Sequence, residues 1–254
     1  LGYRLVESLF GDGRLKLRKL AAPFEEPSAI ASGSGASVLA ASRDVPGADP
    51  RVVDRIARDI LPDFAWFDGI ATFFSDTYRS AMVANFALSA LAVLVGIAYQ
   101  PLGLDKWVFA GLEFLLIANI LLLTWLGNRR CWHARWFDNR RVAEYLRHSP
   151  ALLQIGIARP QARWPRGSGA SWPEHHARHR LREIGLPEAG VSREYLRSSL
   201  SNLLLPHVSG QRDYHRIKAE RLGNAQRRLD RLAQLFFVAA FISVSVYLVI
   251  EVLA

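Results

Sequence analysis

Cysteine and methionine are almost missing from this chain: Cys131 and Met82 are the single examples in 254 residues. One cysteine excludes an intramolecular disulfide and any multi-cysteine zinc site within the chain. No Ser-His-Asp order, nucleophile elbow, Walker loop or paired carboxylates of a hydrolase occur. Neither an enzyme nor a cofactor is therefore expected. Gly-Ser-Gly-Ala-Ser stands at 33–37 and again at 167–171. Both copies lack the Lys-Ser/Thr ending and the preceding strand that a phosphate loop needs. A start at Leu1 and a sole methionine at position 82 lead to the expectation of an upstream domain.

Charge is absent from whole blocks. Half of the residues are hydrophobic, yet 32 Lys+Arg stand against 23 Asp+Glu, a net charge of +9. The two classes are segregated. Residues 81–99 hold no charge, 107–126 hold only Glu113, and 232–253 hold only Glu251. About 20 apolar residues at 1.5 Å each cross the ~30 Å hydrocarbon core of a bilayer. The alternative is buried helices of a large soluble protein, but three such spans would leave little chain to cover them. None reads as a signal peptide, because the first lies far from the start and no small-residue cleavage site follows it.

The flanks set an expected orientation. Arg79 precedes the first span; Arg129, Arg130, Arg135, Arg140 and Arg141 follow the second; Arg227, Arg228 and Arg231 precede the third. The positive-inside bias makes spans one and two a hairpin with its tip, 100–106, outside. The N-terminal part and residues 128–231 are then cytoplasmic, and the third span leaves the C-terminus outside. That odd count suggests a fourth span beyond Ala254. Tyr99, Trp107, Trp125 and Trp132 fall near the boundaries, as in an aromatic belt.

Residues 128–231 contain 21 basic and 9 acidic residues. Such a block fits anionic lipid headgroups better than nucleic acid, since it lacks the interleaved aromatic platforms of a single-strand binder. Trp132, Trp136, Asn139, Ala143 and Leu146 recur at helical spacing, running straight on from the second span. Arg140, Glu144 and Arg147 are spaced to pair along that helix, and Pro150 marks its end. Leu222, Ala225, Leu229, Leu232 and Phe236 form a second face, on a helix beginning near Gln211. Long helices leaving a bilayer pack together as a stalk or bundle. Residues 158–206 form an insert, with loop signals at Trp164-Pro165 and Trp172-Pro173 and short helices expected at 174–184 and 192–204. Residues 51–60 read as a helix ended by Pro62, and 64–80 as an aromatic-rich helix entering the first span. Residues 31–50 read as a linker. Residues 4–20 read as a hairpin turning at Asp12-Gly13, or as the tail of an upstream domain.

Glu113 is the most informative single residue, because a carboxylate within a span is costly and tends to face a bundle interior or a watery path. Glu113, Ile120 and Thr124 lie within about 20° of one another at 100° per residue, and Lys106 joins that face. Asn119 is a further intramembrane polar candidate. The bland alternative is a protonated or snorkelling Glu113. On the first span, Asn85, Ser89, Ala92 and Gly96 share a packing face, in which Ala92 and Gly96 make a small-xxx-small pair. Ser243 and Tyr247 are a weaker version in the third span. His175 and His179 have the four-residue spacing of zinc ligands on a helix but no partner at typical spacing. A basic surface helix is the preferred reading, and no metal site is expected.

The motif Trp136-x3-Arg140-x2-Ala143-Glu144-x-Leu146-Arg147, directly after a two-span hairpin, resembles the SLATT family. So does Gln211-x2-Tyr214-His215 before a basic helix and another span. The similarity covers residues 63–254, and the insert at 158–206 is longer than the family's. The family comprises bacterial membrane modules tied to nucleotide-sensing or nucleotide-synthesising defence systems, proposed to damage the inner membrane as pores. The resemblance implies a multi-pass protein of the bacterial inner membrane with its bulk cytoplasmic. It matches Arg140, Glu144 and Arg147 to motif positions, with an ion-pair role. The expected fold is an all-α integral membrane protein, with a hairpin, a further span and long helices extending into a cytoplasmic bundle. Its domains would be 1–50, 51–80, 81–127, 128–231 and 232–254. The leading expectation is a homo-oligomeric, channel-like effector gated by a signal, such as a nucleotide, at an upstream sensor. A membrane-anchored receptor or scaffold is the alternative. A membrane-tethered nuclease or nucleotide-handling enzyme using His175 or His179 is the third.

Overall fold

The computed structural model describes residues 2–13, 20–21, 24–102, 105–156 and 172–253. The loop signals at Trp164-Pro165 and the second Gly-Ser-Gly-Ala-Ser lie outside the described residues. Every element among those described is helical, and two of the helices are long and apolar enough to cross a membrane. The α-helices are α1 (Gly2–Val6), α2 (Ala36–Arg43), α3 (Pro50–Arg55), α4 (Leu61–Leu102), α5 (Lys106–Arg129), α6 (Trp132–Gln154), α7 (Trp172–Ile184), α8 (Arg193–Ser198) and α9 (Leu205–Leu253). Short π-helical turns occupy Glu7–Gly11, Ile56–Ile60 and Ser199–Leu204.

The chain divides into two compact units, Ala22–Gln211 and Leu1–Ala21 with Arg212–Ala254. In the first, α5 and then α6 retrace α4 in antiparallel order. Gly96 meets Glu113, Asn85 meets Thr124, Tyr78 meets His133, and Asp68 meets Arg140 and Arg147. The sequence reading made α6 a straight continuation of the second span. Instead Cys131, with a left-handed φ of 50°, breaks the helix after Arg129. The track along α4 nevertheless continues on the far side of that break. Beneath the hairpin, the core joins Leu39 of α2, Val52 and Val53 of α3, Leu61 and Ala65 of α4, Val142, Leu146 and Leu153 of α6, and Leu181 and Ile184 of α7. A smaller cluster holds Val45, Tyr195 and Leu203.

Four expectations about breaks are corrected. Residues 31–50 are no linker: α2 lies within them, and Ile30, Leu39 and Val45 are buried. The glycine turn before α2 is clamped by Glu25, which accepts from Ser34 N at 2.7 Å and Ser34 Oγ at 2.5 Å. Pro62 does not end a helix. The preceding π turn closes with Leu61 N–H bonded to the Ile56 carbonyl, so Pro62 falls in the first turn of α4, where a missing N–H costs nothing. Pro206 follows the third π turn in the same way. As a result α9 is continuous from Leu205, rather than starting near Gln211. Nor does Pro150 end α6. The Leu146 carbonyl that Pro150 cannot serve accepts from Ser149 Oγ at 2.7 Å, and the helix runs four residues further, to Gln154.

In the second unit, residues 4–11 of the expected hairpin at 4–20 are helical. Tyr3, Val6 and Phe10 repeat at three and four, a helical rather than an alternating pattern. Asp12 pairs with Arg221 of α9 at 3.4 Å, and the Arg228 guanidinium covers Gly13, where a Cβ would stand 2.5 Å from Nη1.

Candidate functional site

Two polar clusters lie along α4. The first is in the apolar hairpin. Ala92 is buried. A Cβ on Gly96 would lie 3.2 Å from Glu113 Oε2, so the Glu113 carboxylate rests on bare backbone. Farther down the seam, Asn85 Nδ2 donates to Thr124 Oγ1 at 3.2 Å, and that hydroxyl donates to the Ile120 carbonyl at 2.8 Å. Asn85 Oδ1 is buried without a partner. The small face of α4 and the polar face of α5 therefore meet each other within one chain. Ser89 and Asn119 do not join them. Both are exposed, and Asn119 Nδ2 turns back to the Leu115 carbonyl at 2.9 Å. The side chains of Ser243 and Tyr247 lie outside the described residues.

The second cluster is built where α6 crosses the start of α4. Asp68 Oδ1 accepts from Arg140 Nη1 at 2.8 Å and from Arg147 Nη2 at 3.1 Å. Glu144 pairs with Arg140 and, at 3.5 Å, with Arg147. The Arg147 guanidinium also stacks 5.1 Å from the Phe64 ring and reaches Gln211 Oε1 at 3.5 Å. The two segments that carried the family resemblance are thus in contact through Arg147 and Gln211. On the next turn, His148 Nδ1 and His207 Nε2 are 2.8 Å apart with their rings nearly perpendicular. Burial lowers the pKa of both below the ordinary histidine value; Arg147 adds to this, and Glu144 opposes it. Both rings are therefore held neutral, one donating an N–H to the other. Below them a cavity of about 190 Å³ is lined by Ser37, Arg147, Ala151, Asn202, Pro206 and His207.

Helix α7 straps this region. Asp63 takes Arg180 through Nε at 2.6 Å and Nη2 at 3.2 Å. His176 lies 3.5 Å from Asp63, with its ring 4.9 Å from that of Phe67. His175 and His179 are exposed, and His179 pairs with Glu183 at 3.1 Å. Among the described residues no group of three His, Cys, Asp or Glu side chains is arranged to hold a metal. Asp49 ties the loop after α7 to α3. It accepts from Arg51 N and Glu188 N, each at 3.0 Å, and these amides hold its carboxyl below the usual range.

Arg140, Glu144 and Arg147 were legible as a helix-face pairing, but Asp68, His148 and His207 were not singled out. One signal was available. Two arginines seven residues apart on one face, with a single glutamate between them, call for a second carboxylate from another helix. These clusters offer ion pairs and hydrogen bonds, with no nucleophile set against a base. No protein-family model, curated protein or solved structure matches this chain.

Proposed function

We propose that the chain is a membrane protein whose α4–α5 hairpin associates with copies of itself to conduct ions, under the control of the helices that leave the bilayer. The observation that carries this reading is the surface of the hairpin. Large apolar side chains stand open along it, with Phe86 73%, Trp107 75% and Phe114 70% exposed. Water does not favour such a surface, whereas lipid and neighbouring helices do. Ser89 and Asn119 interrupt that open face, and polar side chains within a span favour helix contacts or a watery path. Two or three spans per chain enclose no wide path, so conduction requires an oligomer.

Gating follows from the second cluster. Helix α4 is one rod of 42 residues, about 63 Å at 1.5 Å per residue. Asp68 near its lower end is held by two arginines of α6, so a shift of α6 is passed to the hairpin. The SLATT resemblance agrees with this picture. It adds a nucleotide-sensing upstream domain, a role in bacterial defence, and an inner-membrane site with the bulk of the chain in the cytoplasm. Membrane depolarisation in expressing cells tests the proposal. Depolarisation that changes in Glu113→Gln supports it; unaltered potential, with or without candidate nucleotides, contradicts it.

A specific observation favours the second reading, an anchored scaffold. Leu196, Leu200, Leu204 and Val208 form an exposed apolar stripe flanked by Arg193 and Arg197, suited to a partner helix. That reading requires the non-membrane part to keep its activity when the spans are exchanged for an unrelated anchor.

A further inference from the structure

The left-handed break at Cys131 opens a cavity of about 470 Å³ between the end of α5 and the start of α6, lined by Trp125, Leu126, Arg129, Arg130, Cys131 and Arg135. Its shape is set by packing. Gly127 carries no side chain, and a Cβ there would lie 3.2 Å from the Trp132 ring, so the indole folds back against α5. Arg129 lies 4.9 Å from the Trp125 ring and Arg135 lies 5.5 Å from the Phe74 ring. Those contacts hold two of the guanidiniums against aromatic rings at the edge of the cavity.

Arg51, Arg55, Arg140, Arg147, Arg178 and Arg180 each pair with an aspartate or glutamate. Among the described residues, no carboxylate pairs with Arg129, Arg130 or Arg135. What sets these arginines apart is their grouping around one concavity; among the described residues Arg43, Arg58, Arg182, Arg193 and Arg197 have no acid partner either, but they lie elsewhere. Three cations around one concavity have an anion as their natural complement, and the guanidinium fork fits a phosphate oxygen pair. The position selects the kind of phosphate. Arg129 is the last residue of an apolar 24-residue helix, one turn after an exposed tryptophan. On the membrane reading proposed above, that is the depth of the lipid headgroups.

We propose that Arg129, Arg130 and Arg135 form a binding site for the phosphodiester of an anionic phospholipid, seated at the α5–α6 break. Bound lipid would brace the joint through which α6 meets the hairpin.

The test uses the full chain in nanodiscs of mixed phosphatidylglycerol and phosphatidylcholine, with retained lipid counted by native mass spectrometry. Wild type should retain phosphatidylglycerol. The R129Q/R130Q/R135Q variant should bind it at least about tenfold more weakly, and the lysine version of the same three positions should fall between. R43Q/R58Q/R182Q, which removes equal charge from three exposed arginines elsewhere in the same unit, should bind as wild type does. Equal retention by the glutamine triple variant, or equal retention of phosphatidylcholine by wild type, overturns the site. Displacement of the lipid by millimolar inorganic phosphate overturns the lipid source in favour of a soluble phosphate ligand. Carbonate extraction of membranes distinguishes the underlying reading. A chain released by carbonate overturns membrane insertion and this site with it. A chain that stays in the membrane but retains no lipid overturns the site alone.

Discussion

Glu113 lies on Gly96: the carboxylate of one membrane-length helix occupies the space that a side chain on the other would fill, with Oε2 3.2 Å from the ideal Cβ position. An acid within an apolar hairpin thus has a berth made by the absence of a side chain. Gly96→Val should push Glu113 out of the seam and separate the helices. The expected result is a lower unfolding midpoint in detergent together with altered conduction. Glu113→Gln keeps the shape and removes the carboxyl group, so its midpoint should stay within a degree or two of wild type while its current changes. Equal melting of Gly96→Val and wild type would show that the seam does not depend on this berth.

Asp68 is shared by two arginines and is 31% exposed, while Arg147 is 17% exposed. Replacing Asp68 by Asn removes the acceptor charge from both. The expected loss is about 1–2 kcal/mol, the range for a charge-assisted bond discounted for partial solvent screening. Denaturant unfolding of the purified chain followed by near-ultraviolet circular dichroism measures it. In a double-mutant cycle, Asp68→Asn and Arg140→Gln should be non-additive; strict additivity would mean that the pair carries no coupling.

The His148–His207 contact predicts a pH dependence with a definite sign. Burial first, joined at His207 by the ring of His148 and at both by Arg147, lowers both folded pKa values below the 6.5 of a free histidine, against the pull of Glu144. The unfolded chain takes up its protons near that value, before the folded chain does. Stability is therefore full above it and declines as pH falls through it toward the folded values. His207→Gln should flatten the dependence between pH 8 and pH 5.5, read as unfolding midpoints. A wild-type midpoint that rises on acidification would contradict the neutral pair.

Asp49 caps α3 and holds the loop after α7, with its side chain 5% exposed. Asp49→Ala should cost about 1–2 kcal/mol, the ordinary cost of a lost helix cap. Asp49→Asn should recover part of it, since an amide oxygen still accepts from an N–H. Because the carboxyl is held below its ordinary value of 3.8, its contribution is present above that pH and is lost as pH falls through the folded pKa. Urea unfolding at pH 7 and pH 3 measures both effects.

The hairpin was legible because uninterrupted apolar residues admit few other structures, and the seam because Glu113, Thr124, Asn85, Ala92 and Gly96 differ in kind from their surroundings. The breaks were harder to place. Pro62 read as a helix end and the insert as stopping at residue 206, but the preceding π turns shift Pro62 and Pro206 each into a first turn. Pro150 read as an end, and Ser149 supplies the hydrogen bond it lacks. The small residues of 31–50 look like a linker, yet Leu39 of α2 is buried in the core and Val45 in the smaller cluster with Tyr195 and Leu203. Asp68 was hidden because its partners lie more than seventy residues away, and no local spacing reports a contact made only when α6 folds back along α4.

Conductance across a planar bilayer containing the purified, reconstituted chain is the most direct test of the proposed function. Discrete current steps that require more than one copy, and that change in Glu113→Gln, are the expected result. A chain that inserts fully and stays silent at every protein density and with every candidate nucleotide would contradict it.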